Sequence, residues 1–481
     1  MAVPAYPLFI DGQAVDTSDH YDLRYPFNGE VVGTVARAGE AEIDAAIASA
    51  ARAYAETRRM GRGRRADILN AMSRGVAERR ADFERAITLG TGKPIDYARA
   101  EVGRTVGVLA LAAEEVKRFG ENAEPIDFEA ANAGAVGLVE RFPIGPISAI
   151  APFNFPLNLV THKVAPAIAT GNTMVVKPPP QCPGPALMLA ELAAGAGLPK
   201  GALNVVSADP PVAERLATDE RVKMVSFTGS AKVGWALKAI AGTRRVALEL
   251  GGNGALIVDD GADLEYAATR TARGAFVNAG QVCLSVQRIF VHRNVYFAFL
   301  KHLIDATERL GVGDPMDERT VVGPLVSSAA ADRVMEWIGE AKAAGAGILT
   351  GDRRVDNVIA PTLVELSEPK LHRLRVWCEE IFGPVATVEP INSFAEGIAL
   401  TNDSPYGLQS GVFTPNLEHA FKAFREIEAG AVIVGDTGVF RVDTYPFGGV
   451  KGSGLGREGV RWAMESMTEP RMLVLSLRGR S

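Results

Sequence analysis

The segment ISAIAPFNFPLNLVTHKVAPAIATGNTMVVK, residues 147–177, contains the pattern that decides the fold. Two short apolar runs, Ile147–Ile150 and Thr173–Val176, lie near its ends, and a turn and a helical segment separate them. Runs that are apolar throughout are typical of strands buried on both faces, and in parallel sheets such strands alternate with helices. The segment therefore predicts a strand–helix–strand unit with parallel strands.

The same alternation continues toward the C-terminus and predicts two α/β series. In the first series the further predicted strands are Leu203–Val206, Met224–Phe227 and Val246–Leu248. In the second, predicted strands and helices alternate through Ala255–Val258, Leu264–Asn278, Arg288–Val291 and Val295–Leu310. Ahead of both series, the predicted helices are Ala41–Met60, Arg64–Leu89 and Asp96–Arg118. Two α/β series in one chain predict two domains with a cleft between them.

Composition excludes several classes of protein. Of the 481 residues, 47% are hydrophobic and 22% are charged, which fits a folded chain of about three domains and not a disordered one. The net charge of −6 leaves no basic surplus for nucleic acid. The longest stretch without a charged residue, Phe142–Thr161, contains four prolines and cannot form a membrane helix.

Cysteine content points to a reducing compartment. The three cysteines, Cys182, Cys283 and Cys378, form no disulfide framework and fit no zinc pattern, so no metal site is predicted. The first Lys or Arg is Arg24, so the start of the chain shows no secretory signal. The expected location is the cytoplasm.

Several predicted strand and helix ends carry residues that can do chemistry, although each motif alone has an ordinary structural explanation. Phe227–Ser230 ends a strand before a helix, which suits either a phosphate or a serine N-cap. Cys283 follows a helix and is either a nucleophile or a small buried residue. Glu249 ends a strand at the edge where α/β clefts form, or is an exposed, solvated side chain.

Asn154 is the fourth candidate, and it lies between two prolines and two aromatic residues in Pro152–Pro156. A side-chain amide held rigidly there can donate to an oxyanion or complete an Asx turn. Lys177 follows another buried strand. The sequence has no Gly-x-Gly-x-x-Gly fingerprint and no Walker A sequence, so no single motif identifies a nucleotide site.

Taken in order, these motifs resemble those of the aldehyde dehydrogenase superfamily. The matching segments are Pro152–Pro156, Val175–Pro178, Phe227–Ser230, Glu249–Gly252, Gly280–Cys283, Glu380–Pro384 and Pro446–Gly459. The separation of 34 positions between Glu249 and Cys283 is similar to the family's. The resemblance covers nearly the whole chain and favours the chemical explanation for Cys283, Glu249 and Asn154.

The resemblance implies an NAD(P)-dependent, non-phosphorylating enzyme that oxidises an aldehyde to an acid. Cys283 is then the nucleophile, Asn154 and the Cys283 backbone N–H hold the oxyanion, and Glu249 activates the water that hydrolyses the thioester. The implied contacts to NAD or NADP are Lys177, Pro180, Thr228, Gly229, Ser230, Gly251, Glu380 and Phe382.

Two positions depart from the family's common pattern. Phe153 stands where many members have Trp, which keeps an apolar ring. Pro180 stands where NAD-specific members often carry a Glu for the adenine-ribose hydroxyls. Without that carboxylate a 2′-phosphate is not repelled, and we expect use of both NAD⁺ and NADP⁺.

The substrate pocket is indicated by three basic residues. His162 stands where semialdehyde dehydrogenases that are similar here have an Arg that helps to hold a substrate carboxylate. A His could bind an anion or a hydroxyl, or it could be a packed interior residue. Arg104 and Arg441 could face the same channel. The expected substrate is a small polar or anionic aldehyde, such as lactaldehyde, glycolaldehyde, a semialdehyde or a phosphono- or sulfo-aldehyde.

The resemblance also implies the architecture, an α/β fold with two doubly wound parallel-sheet domains and a small β oligomerisation element. The NAD(P)-binding domain is expected at residues 1–120 and 143–250, and the catalytic domain at 251–440. Residues 121–142 and 460–481, which contain the β-prone runs Val136–Arg141 and Pro470–Leu477, are expected to join subunits into a homodimer or homotetramer.

Two alternative functions stay open. One is a CoA-acylating relative, against which the presence of Glu249 argues, because such relatives often lack the general base. The other is a non-catalytic NAD(P)-binding oligomer, which should have lost its nucleophile or its base. The expected partners are an aldehyde and further copies of the chain, without nucleic acid or membrane.

Overall fold

The computed structural model describes residues 3–366 and 368–476, and its elements are numbered here in chain order. The strands are Ala5–Tyr6 (β1), Leu8–Ile10 (β2), Gln13–Val15 (β3), His20–Arg24 (β4), Val31–Ala36 (β5), Glu121–Glu124 (β6), Val136–Pro143 (β7), Pro146–Ile150 (β8), Thr173–Lys177 (β9), Leu203–Val205 (β10), Met224–Thr228 (β11), Arg245–Glu249 (β12), Gly254–Val258 (β13), Val286–His292 (β14), Gly347–Thr350 (β15), Arg354–Val355 (β16), Val358–Ile359 (β17), Thr362–Glu365 (β18), Val385–Ile391 (β19), Tyr406–Gly407 (β20), Gln409–Phe413 (β21), Ala431–Val434 (β22), Val450–Lys451 (β23), Gly454–Leu455 (β24) and Thr468–Leu475 (β25).

The α-helices are Glu40–Thr57 (α1), Arg62–Glu78 (α2), Arg80–Thr91 (α3), Ile95–Glu115 (α4), Asn158–Thr170 (α5), Gly184–Gly195 (α6), Pro210–Ala213 (α7), Arg215–Thr218 (α8), Ala231–Ile240 (α9), Leu264–Phe276 (α10), Tyr296–Glu308 (α11), Ser328–Ala343 (α12), Arg375–Cys378 (α13), Phe394–Asn402 (α14), Leu417–Glu426 (α15) and Val460–Ser466 (α16). Short 3₁₀ turns cover Ala130–Asn132, Val277–Gly280 and Pro369–Arg373.

Two large sheets organise the chain. The first has the spatial order β24-β12-β11-β8-β9-β10-β2-β3, and its strands from β12 to β10 are parallel. The second has the order β15-β18-β19-β14-β13-β21-β22, in which β18 to β22 are parallel. The predicted α/β class with parallel-sheet domains is confirmed.

The apolar runs of the first sheet follow from burial on both faces. Along β9, Met174 and Val176 pack into the same core as α5, whereas Val175 packs into the core that contains Ile43 and Ile47 of α1. Alternate side chains of a strand point to opposite faces, so a strand covered by helices on both sides is apolar at every position.

The order of strands in the first sheet creates a crevice. From β8 the chain proceeds through β9 and β10 on one side, and then returns to β11 and β12 on the other. At such a reversal the loops that follow the two central strands separate, and α/β sheets bind ligands there. The loop after β8 carries Asn154, and Thr228 is the last residue of β11.

Two of the predicted helices are interrupted by non-helical backbone, and the predicted Ala41–Met60 and Asp96–Arg118 end three residues early, at Thr57 and Glu115. The predicted helix Arg64–Leu89 is divided into α2 and α3 at Arg79, which has φ −97° and ψ 22°. Both halves pack on α4, so the apolar period continues through the break and conceals it. The predicted helix Leu264–Asn278 ends at Phe276, because Val277 has φ −55° and ψ 136°, and Asn278 and Ala279 then take left-handed backbone angles.

The two β-prone runs pair in a small separate sheet with the order β25-β7-β6. Antiparallel pairing extends from Thr468 opposite Pro143 to Leu475 opposite Val136. Residues 477–481, which include the predicted strand end Leu477, lie outside the described residues. Val460 and Met464 of α16, within the expected oligomerisation segment 460–481, pack into the core of the first sheet, and the small sheet itself begins at β25.

Candidate active site

A cavity of about 590 Å³ lies where the carboxyl ends of β11 and β12 face the loop that precedes β14. The first sheet contributes Asn154, Thr228 and Glu249 to its wall, and the loop before β14 of the second contributes Cys283. The predicted site residues that line it are Arg104, Asn154, Thr228, Gly229, Ser230, Glu249, Gly251, Cys283, Glu380, Phe382 and Arg441. Both sheets therefore contribute to a single site.

Cys283 follows a tight turn between α10 and β14. The turn begins with Asn278 and Ala279 at φ 52° and 55°, and continues with Gly280 at φ 69°. A Cβ at Gly280 would lie 2.0 Å from the carbonyl oxygen of Gly383, so only glycine fits there. The turn reverses the chain sharply and brings Cys283 to the cavity wall.

Charged groups surround the partly buried Cys283 thiol. Burial, together with the carboxylate of Glu380, raises the pKa of Cys283 to about 12, against the opposing effect of Arg441. The resting group at neutral pH is therefore the thiol. Because the thiolate is the nucleophilic form, the cysteine needs a nearby base or an added positive charge to react.

Glu249, the last residue of β12, is suited to be a general base for water. Its Oε2 is buried and has no hydrogen-bond partner in the described part of the chain. A Cβ on Gly448 would come within 2.9 Å of its Oε1, so this backbone lies against the carboxylate. Burial and the charge of Glu458 raise the pKa of Glu249 well above its usual range, while Arg441 and Lys163 oppose them. A carboxylate with raised proton affinity can accept a proton from water.

Asn154 lies in the loop between β8 and α5. The loop starts from a hydrogen bond in which the Ala151 N–H donates to the Lys177 carbonyl at 3.1 Å. Asn154 is buried, and its Oδ1 has no partner among the described residues. An amide without protein partners at a cavity wall is available to a ligand. Asn154, Glu249 and Cys283 together form the catalytic end of the cavity.

The loop after β11 fits a phosphate group. The Thr228 Oγ1 is buried and has no hydrogen-bond partner within the described ranges. Ser230 is the N-cap residue of α9, but its side chain makes no capping hydrogen bond. The first N–H groups of α9 thus keep their donors, and the helix dipole adds positive potential. The Thr228 hydroxyl, without a partner in those ranges and beside a helix N-terminus that has no side-chain cap, is suited to bind the pyrophosphate of a dinucleotide.

Glu380 occupies the wall next to this loop. Its Oε1 accepts a hydrogen bond from the Gly252 N–H at 3.1 Å. A Cβ at Gly251 would lie 2.1 Å from the other carboxylate oxygen, so glycine leaves the space that Glu380 fills. Burial raises the pKa of Glu380 to about 7, although the Gly252 N–H and Arg333 favour the charged form.

The remaining predicted cofactor residues lie at the edge of the cavity or beyond it. Phe382 packs edge-on against Phe153, with ring centroids 5.8 Å apart. Lys177 ends β9 outside the cavity, and its Nζ lies 3.4 Å from the Pro178 carbonyl. Pro180 is exposed at the surface.

Arg104 from α4 and Arg441 from the segment before Phe447 form the arginine end of the cavity. Asp443 holds Arg104 by two hydrogen bonds of 2.6 and 3.3 Å. Arg441 stacks on Phe447, with 3.6 Å from its guanidinium carbon to the ring centroid. The carboxylate oxygens nearest to Arg441 in the described chain are 3.6 and 3.7 Å away, on Asp443 and Glu458. The guanidinium N–H groups of Arg441 therefore make no hydrogen bond to a carboxylate of the described residues.

His162 lies behind the arginine end, outside the cavity wall. Its buried ring places Nε2 3.0 Å from the Asp443 Oδ1 and 3.4 Å from the Arg441 Nη2. Burial lowers the pKa of His162, so at neutral pH the ring is uncharged and its Nε2–H donates to Asp443. Direct contact with a substrate, one of the two interpretations of the sequence, does not fit this position. His162 can act on a ligand only through Asp443 and Arg441.

A sequence profile of the aldehyde dehydrogenase family matches residues 14–473. The chain belongs to the aldehyde dehydrogenase family. The 3-sulfolactaldehyde dehydrogenase of Priestia aryabhattai is 40% identical over 476 residues, which cover 99% of each chain. The structure of aldehyde dehydrogenase 21 from Physcomitrella patens, solved with the reaction product succinate, has a TM-score of 0.97 at 39% identity and covers 100% of both chains. The glyceraldehyde-3-phosphate dehydrogenase of Methanocaldococcus jannaschii, solved with NADP, has a TM-score of 0.91 at 35% identity and covers 96% of this chain and 100% of its own.

In this aldehyde dehydrogenase, sequence analysis missed the groups that hold the arginine end together. Asp443 joins Arg104 to His162, and Lys163 donates to the Glu458 Oε1 at 3.0 Å. The signal for Asp443 was weak, an acidic residue two positions after Arg441. Its partner Arg104 is 339 positions away, a separation that no local motif can show.

Neither a membrane-spanning helix nor a metal site is present in the described residues. None of the helices in this aldehyde dehydrogenase's described ranges combines the length and apolarity needed to cross a membrane. Nor do those ranges contain a group of three or more His, Cys, Asp or Glu side chains that could hold a metal ion.

Proposed function

We propose that this aldehyde dehydrogenase oxidises a small anionic aldehyde to the corresponding acid, with NAD⁺ or NADP⁺ as the hydride acceptor. One observation carries the proposal: a single cavity has a nucleophile, a base and an unpartnered amide at one end, and Arg441 at the other. Two similar proteins support it, because one is named for sulfolactaldehyde and the other was solved with succinate. Both of those molecules carry an acidic group.

The proposed reaction begins at Cys283. Its thiol first gives its proton to water, and the resulting thiolate sulfur forms a bond to the aldehyde carbon. The carbonyl oxygen becomes an oxyanion that accepts hydrogen bonds from the Asn154 amide N–H and the Cys283 backbone N–H. Each such donor typically lowers the barrier by about 3 kcal/mol. A hydride then leaves the tetrahedral carbon, and a thioester to Cys283 remains.

Glu249 is proposed to complete the reaction. Its carboxylate takes a proton from a water molecule, and the water oxygen attacks the thioester carbon. The carbon–sulfur bond breaks, and Cys283 leaves as the thiolate while the acid is released. The raised pKa of Glu249 suits this role, because a stronger base draws the proton from water more readily.

NAD(P)⁺, when bound, would supply the hydride acceptor. Thr228, Gly229 and Ser230 are proposed to hold its pyrophosphate, Lys177 its adenosine ribose, Glu380 its nicotinamide ribose, and Gly251 and Phe382 to lie beside the nicotinamide. The exposed Pro180 offers no carboxylate to repel a 2′-phosphate, which supports the use of both cofactors. A large preference for NAD⁺ in cofactor titrations would contradict dual use.

The anionic group of the substrate is proposed to bind Arg441. A substrate sulfonate or carboxylate would accept hydrogen bonds from Arg441 N–H groups, which make none to a carboxylate of the described chain. Such charge-assisted hydrogen bonds are stronger than neutral ones. Arg104 would add positive potential, although Asp443 already holds it by two hydrogen bonds.

A matched pair of substrates tests the proposal. Lactaldehyde and 3-sulfolactaldehyde differ by one sulfonate, and succinate semialdehyde and butanal form a second pair. Purified enzyme would be followed by the absorbance of reduced nicotinamide, with NAD⁺ and NADP⁺ in parallel and with and without CoA. We expect turnover without CoA, and a kcat/KM for the charged member of each pair that is higher by about tenfold or more.

The other outcomes distinguish the alternatives. Equal turnover within each pair would keep the reaction and reject the anion site. A requirement for CoA would favour the CoA-acylating alternative. Cofactor binding without turnover of any aldehyde would favour a non-catalytic NAD(P)-binding oligomer.

The small sheet of β6, β7 and β25 is proposed to join subunits into a homodimer or homotetramer. Its apolar side chains Val136, Leu138, Met472 and Val474 are exposed, although such residues are usually covered. The NAD(P)-binding domain, residues 1–120 with 143–250, and the catalytic domain, 251–440, remain our proposed division. Light scattering after size-exclusion chromatography would give the number of subunits, and a monomer would contradict the proposal.

A further inference from the structure

Glu101 on α4 is a buried acid for which the proposed reaction has no use. Its Oε1 accepts hydrogen bonds from the backbone N–H groups of Leu157 at 2.9 Å and Asn158 at 3.0 Å. These are among the first N–H groups of α5, where helices leave donors without partners, and the N-cap residue Leu157 provides no side-chain acceptor. The cap of α5 therefore comes from another helix.

Lys93 holds the same turn from a second side. Its Nζ donates to the Glu101 Oε2 and lies 3.8 Å from the centre of the Phe155 ring. Both charged side chains are almost fully buried, so removal of either one alone would leave an unpaired charge in the interior. Phe155 directly follows Asn154, and Leu157 is three positions beyond it. The pair thus contacts the turn immediately after the amide.

We propose that Glu101 is a positioning residue for Asn154. The Asn154 Oδ1 has no partner in the described chain, so the place of the amide depends on the backbone of its turn. Glu101 fixes that backbone at two N–H groups and holds Lys93 against the neighbouring ring. The inference rests on the proposed function, because it requires Asn154 to bind the oxyanion. A misplacement of about 1 Å in such a group can lower the rate about 10²-fold.

Two double variants test the role of the Glu101 oxygen as a hydrogen-bond acceptor. Lys93→Met with Glu101→Gln removes both charges and keeps an oxygen for the two N–H groups, whereas Lys93→Met with Glu101→Leu removes the oxygen as well. We expect the Gln variant to keep kcat within about threefold of the wild type and the Leu variant to lose about 10- to 100-fold, with little change in KM for the cofactor. Glu84 is a buried acid on α3 that is paired with Arg80 and Arg99, and Glu84→Gln is the control for loss of a buried charge.

A cycle with Asn154→Ala separates positioning from a general effect on the fold. If Glu101 acts through Asn154, the Leu variant costs nothing further once the amide is gone. The same fold loss in both backgrounds, or equal activity of the Gln and Leu variants, would overturn the inference and leave the proposed function intact. If Asn154→Ala alone has no effect on turnover, the oxyanion role in the proposed function fails.

A third variant keeps the test decisive if the Leu variant does not fold. Glu101→Asp keeps the charge near Lys93 but withdraws the oxygen from the two N–H groups. We expect the same loss of kcat, and the same absence of any further loss in the Asn154→Ala background. Full activity of a folded Glu101→Asp enzyme would overturn the inference.

Discussion

The two ends of the cavity differ in how their polar side chains are held. At the catalytic end, Asn154 and Glu249 keep buried oxygens without partners in the described structure. At the arginine end, Asp443 bonds both Arg104 and His162, although the Arg441 Nε and the Glu458 Oε2 also have no hydrogen-bond partner in the described structure. Buried polar groups without partners are costly, so a folded protein keeps few of them. The catalytic end thus keeps acceptor oxygens free for reacting groups, whereas the arginine end is a network centred on Asp443, beside which Arg441 is a cation that makes no hydrogen bond to any carboxylate that the structure describes.

The largest expected effect comes from removing the nucleophile at the catalytic end. Cys283→Ala should lower kcat by about 10⁴-fold or more, because the remaining groups cannot form the covalent intermediate. Steady-state turnover of the preferred aldehyde measures the loss, and an unchanged dissociation constant for NAD⁺ shows that the fold is intact. Residual turnover within about tenfold of the wild type would mean that another group starts the reaction.

The second effect separates the two chemical steps at the same end. Glu249→Gln should lower steady-state kcat by about 10³-fold, because hydrolysis of the thioester loses its base. A rapid burst of one reduced cofactor per active site should persist, since the hydride leaves before hydrolysis begins. Stopped-flow absorbance measures both phases. Loss of the burst as well would show that Glu249 also activates the Cys283 thiol.

The difference between the ends also explains what the sequence could predict. The catalytic end follows from local patterns, because parallel strands end at one edge of a sheet and place Glu249 and the Asn154 loop there. The arginine end depends on contacts such as that between Arg104 and Asp443, 339 positions apart. His162 lies in a helix with every residue buried, and a single sequence cannot show whether such a side chain faces a cavity or the core. The break at Arg79 could not be predicted either, because α2 and α3 both pack on α4 and the apolar period continues through the break.

The third effect tests the available cation at the arginine end. Arg441→Leu should lower kcat/KM for 3-sulfolactaldehyde by about 10- to 100-fold relative to lactaldehyde, because only the sulfonate uses the charge-assisted bonds. The ratio of the two substrates is the measurement, since Arg441 also lowers the pKa of Glu249 and affects both. Arg99→Leu, an exposed arginine of α4 paired with Glu318, is the matched control and should leave the ratio unchanged. Equal losses for both substrates would show that Arg441 does not bind the anionic group.

The smallest effect concerns pH, and it distinguishes the cofactor side of the cavity from the arginine end. Burial raises the pKa of Glu380 to about 7, so its carboxylate is mostly charged at pH 8 and mostly protonated at pH 6. If the charged form accepts hydrogen bonds from a cofactor ribose, affinity for NAD⁺ should fall as the pH falls, by roughly tenfold between pH 8 and pH 6.

Tryptophan fluorescence titrations would measure this affinity. Glu380→Gln should make the affinity independent of pH, whereas Glu379→Gln, at the exposed neighbouring position, should leave its pH dependence unchanged. A wild-type affinity that is constant over this range would remove Glu380 from the cofactor site. The preference for anionic aldehydes is proposed to arise at the other end of the cavity, so it should persist while cofactor affinity changes.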